Sequence, residues 1–148
     1  MATPKPTDAE LAILRVLWKR GPSTVRQVHE VLSPERPTAY TTALKLLQIM
    51  TEKGLVARDE RDRTHIYHPR LSEEQTQRQL IGDLLDRAFG GSSSKLVMQA
   101  LAARKATAEE LGEIRQLLDG RKEKEKLDGR KEKEKEKEES REDSHDPD

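Results

Sequence analysis

From Arg36 to Thr51 the sequence carries no acidic residue, although aspartate and glutamate supply 28 of its 148 residues. Within that stretch Thr41, Lys45 and Gln48 recur at i, i+4 and i+7, so a helix brings them onto one stripe. Thr38 and Thr42 lie near its N-terminal end, and Ala43, Leu46, Leu47 and Met50 form the opposite, apolar stripe. Hydroxyls, an amide and a cation without carboxylates suit the base edges of a major groove and its flanking phosphates. The first turn of such a helix also offers free backbone N–H groups to a phosphate. An ordinary amphipathic core helix with a polar outer face gives the same pattern, so the stripe alone leaves both readings open.

A second cluster follows. Arg58, Arg61 and Arg63 sit in and beside a polar turn, where a basic hairpin next to a recognition helix could grip the flanking backbone. Asp59, Glu60 and Asp62 interleave with them, and a solvated, self-paired turn accounts for the same residues. Other chemistry is sparse. His65 and His68, three apart on a β-prone run, fall on opposite faces of a strand and make poor joint ligands. His29-Glu30 reads as a surface pair. The absence of cysteine excludes a disulfide framework, a Cys-based metal site and a thiol nucleophile. No nucleophile–base–acid constellation and no glycine-rich phosphate loop occurs, so no enzyme, cofactor or metal site is expected.

The elements that would position these residues are legible in the capping chemistry. Thr7-Asp-Ala-Glu10 is a capping box opening a helix at roughly 8–20 through Leu11, Leu14, Leu17 and Trp18, stopped by Gly21-Pro22. Ser23 caps a short second helix through Val25, Val28 and Leu32. Thr38 caps a third from about Ala39 to Lys53, ended by Gly54. Leu55–Arg58 and Thr64–His68 then read as a β-hairpin. Ser72-Glu-Glu-Gln75 opens a fourth helix to about Phe89, broken by Gly90-Gly91. A fifth spans about Ser94–Arg104, and a sixth, capped at Thr107, runs to Leu118 with Gly120 as its stop. The fold class is mainly α with a small β-hairpin wing: a winged helix-turn-helix followed by C-terminal helices.

The formal net charge of zero hides a split. Residues 1–70 hold twelve basic and eight acidic groups, whereas the stretch from Leu118 onward holds ten basic and thirteen acidic groups and only two apolar side chains, Leu118 and Leu127. The basic excess thus sits where a polyanion could be met. Leu118–Lys126 is repeated at Leu127–Lys135, with opposite charges at i,i+3 but like charges at i,i+4. With no apolar face and with Gly120 and Gly129 interrupting it, this tail is expected to be disordered. Inert solvation, competition with DNA for the basic half and protein docking are its three possible roles. No apolar run approaches a membrane span and the N-terminus lacks an apolar leader, so a cytoplasmic protein without direct membrane insertion is expected.

At four places the residues resemble the BlaI/MecI/CopY penicillinase-repressor family of bacterial transcription regulators. These are Ala9-Glu-Leu-Ala-Ile-Leu-Arg-Val-Leu-Trp18, Ala39-Tyr-Thr-Thr-Ala-Leu44, Lys53-Gly-Leu-Val56 and the helices ending in Ile114-Arg-Gln-Leu-Leu118. The resemblance covers roughly residues 7–119. It implies a homodimeric repressor whose winged helices bind double-stranded, two-fold operator DNA. On this chain it places Thr38, Tyr40, Thr41, Thr42 and Lys45 against DNA from the recognition helix, and Arg61 and Arg63 from the wing. Tyr40 also reads as a packing aromatic near the helix start.

Apolar stripes of their own support the dimer: Leu80, Leu84, Leu85 and Phe89 on the fourth helix, Leu96 and Leu101 on the fifth, and Leu111, Ile114, Leu117 and Leu118 on the sixth. Three helices of that size bury too little to be stable alone, which favours a second copy over packing back on the winged helix. The domains expected are 1–71 for DNA binding, 72–119 for dimerisation and 120–148 for the tail. Two departures matter. The copper-sensing branch uses C-terminal cysteines, and none is present. The β-lactam-responsive branch is released when a membrane sensor-protease system leads to cleavage of an Asn-Phe bond, whose matching position here is Gln99-Ala100. A winged-helix protein–protein interaction module without sequence-specific DNA binding is the alternative function.

Overall fold

The computed structural model describes residues 4–34 and 36–144. Helix α1 spans Asp8–Arg20 and opens on the expected capping box, in which the Thr7 hydroxyl accepts from the Glu10 amide while the Glu10 carboxylate accepts from the Thr7 amide. Gly21, at φ 96°, ends it in the left-handed half of backbone space. Helix α2 spans Val25–Leu32, and its cap differs from expectation. Thr24, not Ser23, makes the capping box with Gln27. Ser23 is committed elsewhere: its backbone exchanges two hydrogen bonds with Tyr67 (3.0 and 2.8 Å), and its hydroxyl donates to the Gly21 carbonyl.

Helix α3 spans Tyr40–Lys53. Its N-cap is Ala39, with no side-chain cap bond, which corrects the capping role expected for Thr38. The Thr38 hydroxyl donates instead to the Arg36 carbonyl at 2.9 Å. At the other end Gly54 adopts the left-handed conformation, φ 82°, that the sequence reading required. Strands β1 (Val56–Asp59) and β2 (Ile66–Pro69) pair antiparallel, Val56 opposite Pro69 and Asp59 opposite Ile66. The Ser23–Tyr67 bridge adds a short third rung to this wing.

The three helices and the wing close one core. Ile13, Leu14 and Leu17 from α1 meet Val28 and Leu32 from α2, Ala43, Leu47 and Met50 from α3, and Val56 and Tyr67 from the wing. Tyr67 is the largest of the fully buried side chains, at 1% exposure. Buried Glu10 is partnered as well as capped, since the Lys53 ammonium donates to both its carboxylate oxygens at 2.9 and 3.1 Å. Burial pushes the Glu10 carboxyl up, but the bonds from Lys53 and Thr7 outweigh this and hold it below its ordinary value.

Helix α4 (Glu73–Ala88) opens on the expected Ser72–Gln75 capping box. The Trp18 indole N–H donates to the Leu71 carbonyl at 3.0 Å just before α4, and Lys5, in the lead-in to α1, pairs with Asp83 in the C-terminal half of α4. Gly90 and Gly91, both at positive φ, turn the chain after it.

The chain divides into two compact units, Met1–Ser93 and Ser94–Asp148, so α4 groups with the winged helix, whereas the sequence reading drew its boundary after residue 71. The second unit holds α5 (Ser93–Ala103, its first residue on the boundary) and α6 (Ala108–Asp143), capped by Thr107. Neither helix contains a buried residue. The extent of α6 corrects two expectations, the stop at Gly120 and the unstructured tail after it. Lysine, glutamate and arginine are strong helix formers, and their i,i+3 pairing of opposite signs adds support. Together these offset the roughly 1 kcal/mol that each of Gly120 and Gly129 costs inside a helix. No helix among the described residues is long and apolar enough to cross a membrane.

Candidate nucleic-acid interface

α3 presents its polar stripe as the spacing required. Thr41, Thr42, Lys45 and Gln48 are all exposed, while Ala43, Leu47 and Met50 face the core. Tyr40, at the first position of the helix, is 46% exposed. Its ring is also packed edge-on against His29, with centroids 5.8 Å apart and planes at 81°. The packing reading of Tyr40 therefore describes part of its surroundings. Thr38 is half-buried, and its carbonyl accepts a 2.8 Å hydrogen bond from His29 Nε2. His29 is accordingly no surface partner of Glu30: it reaches across the turn between α2 and α3.

The wing divides its three arginines. Arg58 is occupied by Glu60 and by the Tyr67 hydroxyl, which together raise its pKa. Arg61 forms a fork on Asp59, Nε to Oδ1 at 3.1 Å and Nη2 to Oδ2 at 2.8 Å. The hydrogen bonds from Arg61 hold the Asp59 carboxyl at about 2. The Arg61 side chain is nonetheless 89% exposed, so a phosphate could replace the carboxylate without unburying anything. Arg63 and Lys45 make no ion pair among the described residues.

A cleft of about 430 Å³ joins three elements: Thr24 and Arg26 at the start of α2, Tyr40 and Leu44 on α3, and Arg63, Thr64 and His65 in the hairpin loop. Of the residues singled out from the sequence, this cleft brings together Tyr40 and Arg63. Lys45, Gln48 and Arg61 lie outside it. Arg26 and Thr64 were missed, and His65 was weighed only as a metal ligand. For Arg26 a signal existed: a cation in the first turn of a helix opposes the helix dipole, and α2 has no acidic residue there to offset it. His65 and His68 are both exposed, and no group of three or more potential metal ligands occurs among the described residues.

A helix whose exposed stripe carries no acid until Glu52, beside a cleft holding Arg26 and Arg63, offers hydroxyl, amide and cationic groups of the kind that meet base edges and phosphates. The family model described as penicillinase repressor matches residues 6–120. This chain belongs to the penicillinase repressor family. It is 39% identical over 92 residues to the transcriptional regulator BlaI of Mycobacterium tuberculosis, covering 62% of this chain and 67% of that protein. It is 25% identical over 123 residues to the penicillinase repressor of Bacillus licheniformis, covering 83% and 96% of the two. Among solved structures it is similar to the monomeric form of Bacillus licheniformis BlaI in complex with the blaP half-operator. That match has 26% identity and a TM-score of 0.44 over 49% of this chain and 89% of that one. The family match ends at Gly120, within the first of the two repeats that begin at Leu118.

Proposed function

We propose that this penicillinase-repressor family member is a DNA-binding transcriptional repressor that acts as a homodimer on a two-fold operator. The observation that carries the reading is the exposed polar stripe of α3, which holds no carboxylate from Tyr40 through Thr51 (Glu52 closes it in the last turn), flanked by Arg26 and Arg63 at the cleft. Thr41, Thr42, Lys45 and Gln48 read base edges and phosphates from α3. Tyr40 and Thr38 approach the backbone at its N-terminal end. Arg63, and Arg61 once it exchanges Asp59 for a phosphate, extend the grip to the flank. Each phosphate neutralised releases counterions, so affinity falls steeply with salt.

Dimerisation rests on a separate observation. Leu84, Leu101, Leu111, Leu117 and Leu118 are all exposed large apolar side chains, with Leu117 at 68%, and neither α5 nor α6 buries any residue within one chain. Leu80, Leu85, Phe89, Leu96 and Ile114 are half-buried beside them. A second copy supplies the missing surface and converts two weak half-site contacts into one strong one through effective concentration. Repression by promoter occlusion is set in the cytoplasm. Gln99-Ala100, exposed on α5, stands where the family's cleaved Asn-Phe bond would lie, and this departure argues against release by a membrane sensor-protease system at that bond.

Selection of the full-length chain against a random duplex library, followed by footprinting, tests the reading. It predicts enrichment of a two-fold sequence whose halves are separated by one or two helical turns. Failure to enrich any duplex contradicts it and favours an interaction module.

A further inference from the structure

α3 begins without the side-chain cap that α1, α2 and α4 all possess. Ala39 offers no acceptor, and the Thr38 hydroxyl turns back to Arg36. Yet this uncapped end bears Tyr40, Thr41 and Thr42, the residues on which the proposed function most depends. A recognition element must be held within a fraction of an ångström to discriminate bases, so something other than a cap has to fix it.

We infer that His29 is the positioning residue of the recognition helix, clamping its N-terminal end from α2 without touching DNA. Its Nε2–H donates to the Thr38 carbonyl at 2.8 Å, the last carbonyl before the N-cap. The same ring meets the Tyr40 ring edge-on at 5.8 Å, so one side chain restrains the residues on both sides of Ala39. The lead-in is closed further by the Arg36 amide, which donates to the Leu32 carbonyl at 2.9 Å. These bonds fix the loop through backbone atoms, and among the described residues His29 alone of its side-chain donors comes from the preceding helix. The neutral imidazole must carry its proton on Nε2 to make this bond. The inference rests on the proposed DNA-binding reading, since positioning matters only if α3 reads a duplex.

Three variants of the full chain separate the two halves of the clamp. His29→Phe keeps a ring against Tyr40 but loses the donor. His29→Gln places an amide N–H where Nε2 stood but loses the ring. His29→Ala loses both. Binding to the selected duplex is measured beside binding to an unrelated duplex of equal length, with thermal unfolding as the control for fold. The clamp predicts about tenfold weaker specific binding for His29→Ala, from one hydrogen bond and one aromatic contact together. Phe and Gln should each recover part of that loss, while non-specific binding and its salt slope stay unchanged. Phe and Gln no better than Ala, or equal losses on both duplexes, overturn it.

A second readout needs no DNA. Hydrogen exchange at the amides of Ala43 and Leu44, just after the uncapped turn, should speed up several-fold in His29→Ala and not at the mid-α1 amides of Leu14 and Val16. Unchanged exchange overturns the clamp even if a specific duplex is found. Faster exchange with no duplex preference in the wild type supports the clamp and overturns the DNA-binding reading instead.

Discussion

Up to Ser93 the chain closes a core in which Ile13, Val28, Ala43, Leu47, Met50 and Val56 are wholly excluded from solvent, whereas α5 and α6 bury no side chain at all. The contrast is one of composition as much as of contacts. The first unit spends its apolar residues on three short helices and a wing that face one another. The second arranges Leu96, Leu101, Leu111, Ile114 and Leu117 along helices on which Leu96 and Ile114 are half-buried and the others exposed. A unit of the first kind is stable by its own burial, and one of the second kind buries too little to be stable alone, which is the ground for the proposed dimer. Under the proposed function the first unit reads the duplex and α5 and α6 carry much of the pairing surface, so mutations in α5 should disturb assembly without unfolding the winged helix.

The largest effect is expected from attacking assembly. Leu96→Glu with Leu101→Glu, both on α5 and neither in a core, should leave the winged helix folded and shift sedimentation from dimer to monomer. Affinity for a two-fold operator should fall by about 10²-fold or more as effective concentration is lost, while affinity for a half-site is retained. Retained dimer would break the comparison.

A smaller effect should come from the core of the first unit. Glu10 closes the α1 capping box and holds Lys53, so Glu10→Ala should cost about 2–3 kcal/mol in denaturant unfolding and leave the dimer intact. The same carboxylate predicts a pH dependence. Its folded pKa lies below the unfolded value, so the stabilisation is complete above the ordinary glutamate range, about pH 4–5, and is lost as the pH falls through the folded value. Unfolding midpoints compared across that range should converge for wild type and Glu10→Gln at the acid end.

The smallest effect concerns the wing. Asp59→Asn removes the carboxylate that occupies Arg61, and should raise duplex affinity a few-fold with a slightly steeper salt slope and an unchanged melting temperature. Weaker binding in a salt titration would show that Asp59 orders the wing rather than competing for its arginine.

What was legible in the sequence was the chemistry local to the chain. The capping boxes at Thr7 and Ser72, the left-handed Gly54 and the polar stripe of α3 need only neighbours within a turn, and each stands where the spacing put it. Where two adjacent hydroxyls competed, a distant contact decided. Ser23 lost the cap of α2 to Thr24 because its backbone pairs with Tyr67, a residue from the far strand of the wing. Thr38 is no cap, and the bond from His29 to its carbonyl depends on how α2 and α3 cross, which no local pattern encodes. Arg26 belongs to the same class, since it joins Arg63 only once the wing folds back on α2. In α6 the error lay in weighing the absent apolar face above helix propensity, which carries the Lys/Glu repeats through both glycines.

The most direct measurement is operator affinity of a Thr41→Ala/Lys45→Ala chain whose unfolding and dimer mass match the wild type. Both side chains are exposed on α3 and contribute nothing to the core. The account predicts a loss of at least tenfold on the selected duplex, confined to specific binding apart from the single phosphate contact of Lys45. Unchanged affinity for that duplex would show that the exposed Thr41–Lys45 stripe of α3 is not what reads DNA.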